Sequence, residues 1–270
     1  MSTHAERESN MGTAQIQGEL WSAQARNWAN FFETFHTPLY KSVFDRLGIS
    51  RGTRLLDVGC GAGLAAQLAA QLGAQVSGID AAPALIEIAR ERVPAGDFRL
   101  GEMEELPYAD ASFDVVTGFN AFQHAANPVA ALAEAKRVVK AGGRVAMVTW
   151  GRREDCEHAA VFAAVSTLLP PGPARSGNPF ALSESGRLEA LLAQAGLTAE
   201  ESGEIASFFA WPDDETAWKA ISSGGSTVMA VRHAGEAQVK QVALAALLPF
   251  RAREGGYRLE NTYRYVIATA

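Results

Sequence analysis

A short apolar stretch that runs into a cluster of glycines constrains the fold of this chain more than any other feature. Residues 53–58 have the character of a buried β-strand, and Gly59, Gly61 and Gly63 follow at alternate positions before an alanine- and leucine-rich stretch that reaches about Leu72. Glycine allows a sharp backbone turn and lets a ligand approach without meeting a Cβ atom. The segment predicts a strand, a tight turn and a helix whose N-terminus can bind an anionic group.

The alternation of strands and helices continues beyond this turn. Further strands are predicted at 75–79, 97–100, 113–117 and 144–150, and helices begin at Pro83 and Pro128. Residues 257–268 alternate between apolar and polar side chains, which predicts a last strand. This order predicts an α/β fold, a Rossmann-like doubly wound sheet that is mostly parallel with an antiparallel C-terminal edge strand. Its ligand crevice is expected beyond the carboxyl ends of the parallel strands.

The length of 270 residues suits one domain. Residues 1–18 are polar and lack periodic apolar spacing, so we expect a disordered tail before a single domain at 19–270. Additional helices are predicted near 184–195, 215–221 and 236–248, and the proline-rich segment 169–179 is predicted to be a loop or lid. The expected parts of the domain are N-terminal cap helices at 19–48, the ligand-binding core at 50–150, helical and loop insertions on the substrate side at 151–256, and the last strand at 257–270.

Charge and cysteine content narrow the classes of partner. Lys and Arg total 24 against 30 for Asp and Glu, so the net charge of −6 offers no broad positive field for nucleic acid or an anionic membrane. Cys60 and Cys156 form no paired motif and are expected to be reduced thiols. The histidines are scattered, which predicts no metal site. With no apolar leader or membrane-length run, we expect a cytoplasmic protein, a monomer or homodimer.

Two kinds of ligand, dinucleotides and S-adenosylmethionine (SAM), are compatible with the glycine turn. Asp57 at the tip of the first strand would repel a pyrophosphate but attract a ligand that carries an ammonium and a sulfonium. Asp80 ends the second strand, where a carboxylate can accept both hydroxyls of a ribose in either ligand. Glu102 follows the third strand and can accept a hydrogen bond from an adenine amino group. An NAD(P)-dependent oxidoreductase would also need a catalytic pair such as Tyr-x-x-x-Lys, which the sequence lacks.

Successive motifs of the chain resemble the signature blocks of the class I SAM-dependent methyltransferases, in particular the small-molecule group called methyltransferase type 11. The blocks that carry this resemblance are 55–63, 76–80, 101–107, 113–120 and 140–144. The resemblance implies a methionine site at Asp57, Gly59, Cys60, Gly61 and Gly63, a ribose site at Asp80, an adenine site at Glu102 and the Met103 backbone, and a place beside the sulfonium for Asn120. The family more often has Asp at position 102 and frequently has His where this chain has Gln123.

Methyl transfer from SAM is an in-line displacement, so the enzyme must align the acceptor, exclude water and remove a proton where the acceptor carries one. His124, just after the fourth strand, is the candidate general base or acceptor-orienting group, and His36 is a second candidate. We therefore expect a SAM-dependent methyltransferase that acts on an O, N or C atom of a small molecule. A non-catalytic SAM-binding protein and an NAD(P)-dependent oxidoreductase are the alternatives.

Aromatic residues are expected on the acceptor side of this site. An N-terminal group is predicted either to cap the site or simply to pack on the sheet, and it comprises Trp21, Trp28, Phe31, Phe32 and Tyr40. Acceptor selection is expected from the segment 169–179 and from Trp150, Arg152, Arg153, Trp211 and Trp218, because loops at the carboxyl ends of strands carry function on this fold.

Overall fold

The computed structural model describes residues 13–171 and 178–270, which are organised around one seven-stranded sheet. The strands are β1 (Arg54–Val58), β2 (Gln75–Asp80), β3 (Asp97–Leu100), β4 (Phe113–Phe119), β5 (Val139–Trp150), β6 (Thr198–Trp211) and β7 (Tyr257–Thr269). They lie in the order β3-β2-β1-β4-β5-β7-β6, and β7 runs antiparallel to both β5 and β6. The predicted mostly parallel sheet with an antiparallel C-terminal strand is confirmed, but the edge beside that strand is formed by β6.

Helices cover both faces of this sheet. In β1 the adjacent residues Leu55 and Leu56 are both fully buried and belong to two different core clusters, as alternation along a doubly covered strand requires. None of the described helices is both long and apolar enough to cross a membrane. The α-helices are α1 (Ala14–Ser22), α2 (Ala25–Asn27), α3 (Thr37–Leu47), α4 (Leu64–Gln71), α5 (Pro83–Arg92), α6 (Pro128–Val138), α7 (Ala159–Ser166), α8 (Arg187–Gln194), α9 (Asp214–Ile221), α10 (Gly225–Ala234) and α11 (Glu236–Leu247).

The predicted disordered tail at 1–18 was wrong at its end, because α1 begins at Ala14. Residues 1–12 lie outside the described residues. Helix α1 lacks a broad apolar stripe and packs instead through Leu20 and through a close approach of its backbone at Gly18, where a Cβ atom would overlap the carbonyl oxygen of Ala81. Such a contact leaves little apolar periodicity in the sequence. The division of the remaining chain as one domain stays a prediction.

The segment between α2 and α3 changes its helical period twice. A π-helical turn at Trp28–Phe32 is followed by a 3-10 turn at Glu33–His36. Such departures from α-helical geometry occur frequently at functional sites. Here they bring Trp28, Phe32 and His36 to the same side, with ring centroids 5.0 Å apart for Trp28 and Phe32 and 5.7 Å apart for Phe32 and His36. All three rings line the cavity at the carboxyl edge of the sheet.

Candidate functional site

A cavity lies at the carboxyl ends of the five parallel strands β1 to β5. Each strand contributes a residue from its end or from the position just after it, namely Gly59, Asp80, Gly101, Asn120 and Trp150. The structure thus places the site where the alternation of strands and helices predicted it. Among residues 13–171 and 178–270, no group of three or more His, Cys, Asp or Glu side chains could hold a metal ion.

The glycine turn after β1 forms one wall of the cavity. Gly59, Gly61 and Gly63 all have positive φ angles, of 68°, 54° and 80°. A Cβ atom on Gly59 would lie 2.5 Å from the Cβ of Ala121, and one on Gly63 would lie 2.8 Å from the Cβ of Ala89. Side chains are therefore excluded at both positions by packing against neighbouring elements as well as by the backbone conformation. Gly59 and Gly61 line the cavity, whereas Gly63 lies behind it.

Six of the nine predicted cofactor-binding residues line the cavity together: Gly59, Gly61, Asp80, Glu102, Met103 and Asn120. The other three, Asp57, Cys60 and Gly63, do not line it and lie behind the glycine turn. Cys60 is buried against β2, where a Cβ atom on Gly78 would approach its Sγ to 2.9 Å. These three residues shape the turn from behind rather than from inside the cavity.

Asp57 is only 2% exposed, so the structure does not place it on the cavity wall as the sequence predicted. Its Oδ1 accepts a hydrogen bond of 2.7 Å from the hydroxyl of Thr117 on β4. Burial raises the pKa of Asp57 to about 7, and although the bond from Thr117 opposes that rise, the charges of Glu33 and Asp80 add to it. Asp57 forms no ion pair among the described residues.

Two backbone N–H groups fix the carboxylate of Asp80. Its Oδ2 accepts from the N–H of Gly61 and its Oδ1 from the N–H of Ala82, each over 2.9 Å. Burial raises the pKa of Asp80, and these backbone hydrogen bonds act in the opposite direction. Each carboxylate oxygen can accept a further bond, so the two oxygens offer a rigid pair of acceptors to adjacent hydroxyl groups.

Glu102 connects the loop after β3 to the N-terminal helix. Its Oε1 accepts from the N–H of Met103 over 2.8 Å, and its Oε2 accepts from the N–H of Ala14, at the start of α1, over 3.0 Å. The hydroxyl of Thr13 donates to the carbonyl oxygen of His124 over 2.5 Å. The start of α1 is thereby bonded across the cavity to two loops, and Thr13 and Ala14 become lining residues that the sequence did not indicate.

Asn120 follows β4 in a left-handed backbone conformation, with a φ of 51°. This conformation is uncommon for residues other than glycine, is better tolerated by asparagine than by most, and often marks functional sites. The N–H of Asn120 still donates to the carbonyl of Val148, and the Gln123 amide lies 3.5 Å from its Oδ1. The backbone thus turns out of the sheet at the point where its side chain reaches the cavity.

The two predicted histidine candidates differ in their freedom to bind a ligand. His124 lines the cavity, and its buried Nδ1 has no hydrogen-bond partner among the described residues. Burial lowers its pKa to about 4, so the ring is neutral near pH 7. His36 lies 3.3 Å from the Glu33 carbonyl through Nδ1 and 2.9 Å from the Tyr263 hydroxyl through Nε2. Since the carbonyl can only accept, Nδ1 donates and Nε2 accepts, which leaves His36 no free lone pair for a general base.

A buried polar group lies beside Gly61 and was not found from the sequence. A Cβ atom on Gly61 would be 3.4 Å from Oε1 of Glu33 and 3.5 Å from Nε1 of Trp28. Glu33 is paired with Arg92, whose guanidinium also donates to the carbonyls of Ala29 and Ala62. The indole N–H of Trp28 has no partner among the described residues. A hydrogen-bond donor is therefore available next to the glycine turn.

Some of the residues expected to select the acceptor line the cavity, and others do not. Trp150 lines the cavity, together with Asn178 and Pro179 from the predicted loop, whose residues 172–177 lie outside the described residues. Arg152 and Arg153 are exposed and outside the described lining, so their role in acceptor selection stays a prediction. Trp211 and Trp218 are buried, and their indole N–H groups donate to Phe31 O and to Glu236 Oε1. A residue that the sequence analysis missed, His158 at the start of α7, lines the same end as Trp150.

Comparison with known proteins agrees with this arrangement. Residues 56–147 match the family described as a methyltransferase domain. The ubiquinone biosynthesis O-methyltransferase of Xanthomonas oryzae is 38% identical over 128 residues, which make up 45% of this chain and 54% of the relative. The chain spans about half the length of the curated relatives it matches.

Solved structures share the fold over most of the chain. The YcgJ protein of Bacillus subtilis aligns with a TM-score of 0.57 at 20% identity and covers 85% of this chain and 97% of its own. A geranyl diphosphate methyltransferase in complex with SAM aligns with a TM-score of 0.53 at 16% identity, over 86% of this chain and 84% of its own. Residues 56–147 thus match a methyltransferase domain, and most of the chain shares its fold with a methyltransferase that was solved in complex with SAM.

Proposed function

We propose that the chain binds SAM in the cavity and transfers its methyl group to a small-molecule acceptor. The observation that carries this proposal is the charge around the glycine turn. Asp57 and Asp80 lie close to it without a cationic partner among the described residues, and burial raises the pKa of both. A positively charged sulfonium ligand relieves this accumulation of buried acid, whereas the pyrophosphate of NAD would add to it.

Residues of the cavity can be assigned to the ribose, adenine and methionine parts of SAM. Asp80 would accept the ribose hydroxyls with its two fixed oxygens, and Glu102 with the Met103 backbone would hold the adenine. The open backbone at Gly59 and Gly61 would accommodate the methionine part. The unpartnered indole N–H of Trp28 beside Gly61 supplies a donor for the methionine carboxylate.

Direct methyl transfer requires no covalent bond between the protein and either substrate. When bound, SAM would supply a methyl group to the acceptor atom, and the electron pair of the broken C–S bond would stay on sulfur as a neutral thioether. The side chains of the cavity align the acceptor and exclude water. Asn120, at the end of β4, and the neutral ring of His124 would lie nearest the junction of cofactor and acceptor. A proton released by the acceptor would pass to solvent or to His124.

Oxygen is the favoured acceptor atom within this proposal. The curated relatives include ubiquinone biosynthesis and malonyl-acyl-carrier-protein O-methyltransferases, both named for transfer to oxygen. The identity with these relatives covers less than half of this chain, so their substrates do not transfer with it. The acceptor is instead to be deduced from the part of the cavity that the cofactor leaves free.

Calorimetry separates SAM binding from its alternatives. We expect SAM and S-adenosylhomocysteine to bind and NAD not to bind, and Asp80→Ala to weaken both complexes about tenfold or more by removing two acceptors. Asp45→Ala, an exposed carboxylate on α3, is the matched control and should leave binding unchanged. Unchanged affinity in Asp80→Ala would refute the cofactor site.

A screen of phenols, amines and carbon acids with methyl-labelled SAM then tests catalysis. Binding of SAM without any methyl transfer would favour the non-catalytic alternative.

A further inference from the structure

The part of the cavity over β4 and β5 is not needed for the cofactor. The residues proposed for adenosine and methionine are Trp28 and residues at the ends of β1, β2 and β3, so the region beyond Asn120 remains for the acceptor. Its described lining contains no Asp, Glu, Lys or Arg. The rings that line this acceptor end belong to Phe32, Tyr40, Phe119, Trp150, His158 and Phe162.

His158 is the unusual polar residue of this end. It is only 2% exposed, and aromatic rings surround it at centroid distances between 4.7 and 6.2 Å. Its ring stacks on Trp150 at 5.8 Å with an interplanar angle of 8°. Within the described chain, its Nδ1 has no hydrogen-bond partner. A buried polar atom without a partner is disfavoured in native proteins, and this one belongs to a residue of the cavity lining, where a ligand can supply the missing hydrogen bond.

The charge of the acceptor is constrained by the same surroundings. Burial, and to a smaller extent the nearby His36, lower the pKa of His158 to about 3, so the site disfavours a positive charge. An ammonium would meet the same penalty, and a phosphate or carboxylate would find no cation in the described lining. A neutral imidazole has one donor and one acceptor nitrogen. A hydroxyl group can pair with either, whichever tautomer His158 adopts, and flat apolar surface suits the rings around it.

Resting on the proposed function, we propose that the methyl acceptor is a neutral hydroxylated aromatic molecule whose hydroxyl group hydrogen-bonds to His158. The aromatic walls bind its ring, and His158 selects and orients the hydroxyl. Near pH 7 the neutral ring acts as a hydrogen-bonding partner rather than as a strong base. Among the other cavity histidines, His36 already uses both ring nitrogens, which leaves His158 as the polar anchor at this end.

The test compares two ligands of nearly equal shape on protein saturated with S-adenosylhomocysteine. We expect 2-naphthol to bind about tenfold more tightly than 2-methylnaphthalene, because only the former can pair with the buried nitrogen. His158→Phe, which keeps an aromatic ring, should bring the two affinities within about twofold of each other, whereas His158→Gln should retain part of the preference. His233→Phe is the matched control, since His233 is an exposed histidine of α10 outside the cavity lining and should not contribute.

Ring-nitrogen NMR shifts of His158 give a second measurement in the unaltered protein. They should move on addition of 2-naphthol and not on addition of 2-methylnaphthalene. Equal affinities for the two ligands, no binding of either, or a preference that persists in His158→Phe would overturn the assignment of His158. If S-adenosylhomocysteine itself does not bind, the proposed function fails, and this outcome is distinct from a failure of the acceptor assignment.

Discussion

The carboxylate of Glu102 accepts a hydrogen bond from the backbone N–H of Ala14 over 3.0 Å, which links the loop after β3 to the first turn of α1. The N-terminal N–H groups of a helix have no partner within the helix, and a negative charge at that end is favourable. This single contact therefore helps hold α1 across the mouth of the cavity. The N-terminal helix is in this way coupled to a residue that we assign to adenine binding.

Replacement of Glu102 should loosen α1 before any ligand is present. We expect Glu102→Ala to cost about 1 kcal/mol of local stability, as loss of a helix cap does, and to speed hydrogen exchange of the amides in α1 about fivefold. Mass-spectrometric hydrogen exchange on the ligand-free protein measures this change. Glu105→Ala, in the same loop but exposed, is the control. Equal exchange of α1 in both variants and the parent protein would show that the contact does not hold the helix.

Asp57 should destabilise the ligand-free protein at neutral pH. Its pKa is raised from an unfolded value near 3.8 to about 7, so its contribution to stability is present at low pH and is lost as the pH rises towards 7. Asp57→Asn keeps an oxygen that can accept from Thr117. We expect the stability of Asp57→Asn relative to the parent to grow by a few kcal/mol between about pH 4 and pH 8. Urea unfolding at a series of pH values tests this, and a constant difference would contradict it.

His124 should show the opposite dependence on pH. Burial lowers the pKa of His124 from 6.5 to about 4. The neutral ring therefore contributes its full stability above pH 6.5, and this contribution is lost as the pH falls towards 4. We expect the parent to lose stability relative to His124→Gln by about 1.4 kcal/mol per pH unit between about pH 6 and pH 4. The same urea series measures it. A difference that does not change over this interval would mean that His124 is protonated in the folded protein.

Local sequence patterns were sufficient for the framework of the site. Strand and helix periods together with the glycine turn placed Asp80, Glu102 and Asn120 at strand ends, and the sheet brings these ends together. The position of Asp57 behind the cavity wall, where the sequence analysis did not expect it, has a geometric reason that the sequence contains. Asp57 lies inside β1, one residue before its end, and a residue within a strand points to a face of the sheet rather than beyond its edge.

Contacts made by distant packing could not be predicted in this way. His158 lies in the short connection between β5 and α7, just before α7 begins. That its ring stacks on Trp150 is evident only from the folded structure. The same holds for α1, which docks through the backbone at Gly18 instead of through an apolar stripe. Neither arrangement has a periodicity or motif that a reader of the sequence could have recognised.

The glycine turn allows the cost of close packing to be separated from the cost of backbone conformation. Gly63 and Gly142 have similar φ angles, of 80° and 74°, but a Cβ atom on Gly63 would lie 2.8 Å from the Cβ of Ala89 while one on Gly142 would have nothing within 4 Å. Gly142→Ala should therefore cost about 1 kcal/mol for the left-handed backbone alone. Gly63→Ala should cost about 1–3 kcal/mol more, because α4 and α5 must separate to admit the methyl group. Urea unfolding of both variants measures the difference. Equal losses would show that the turn can move away from Ala89, and that its close approach to α5 is not what requires glycine at position 63.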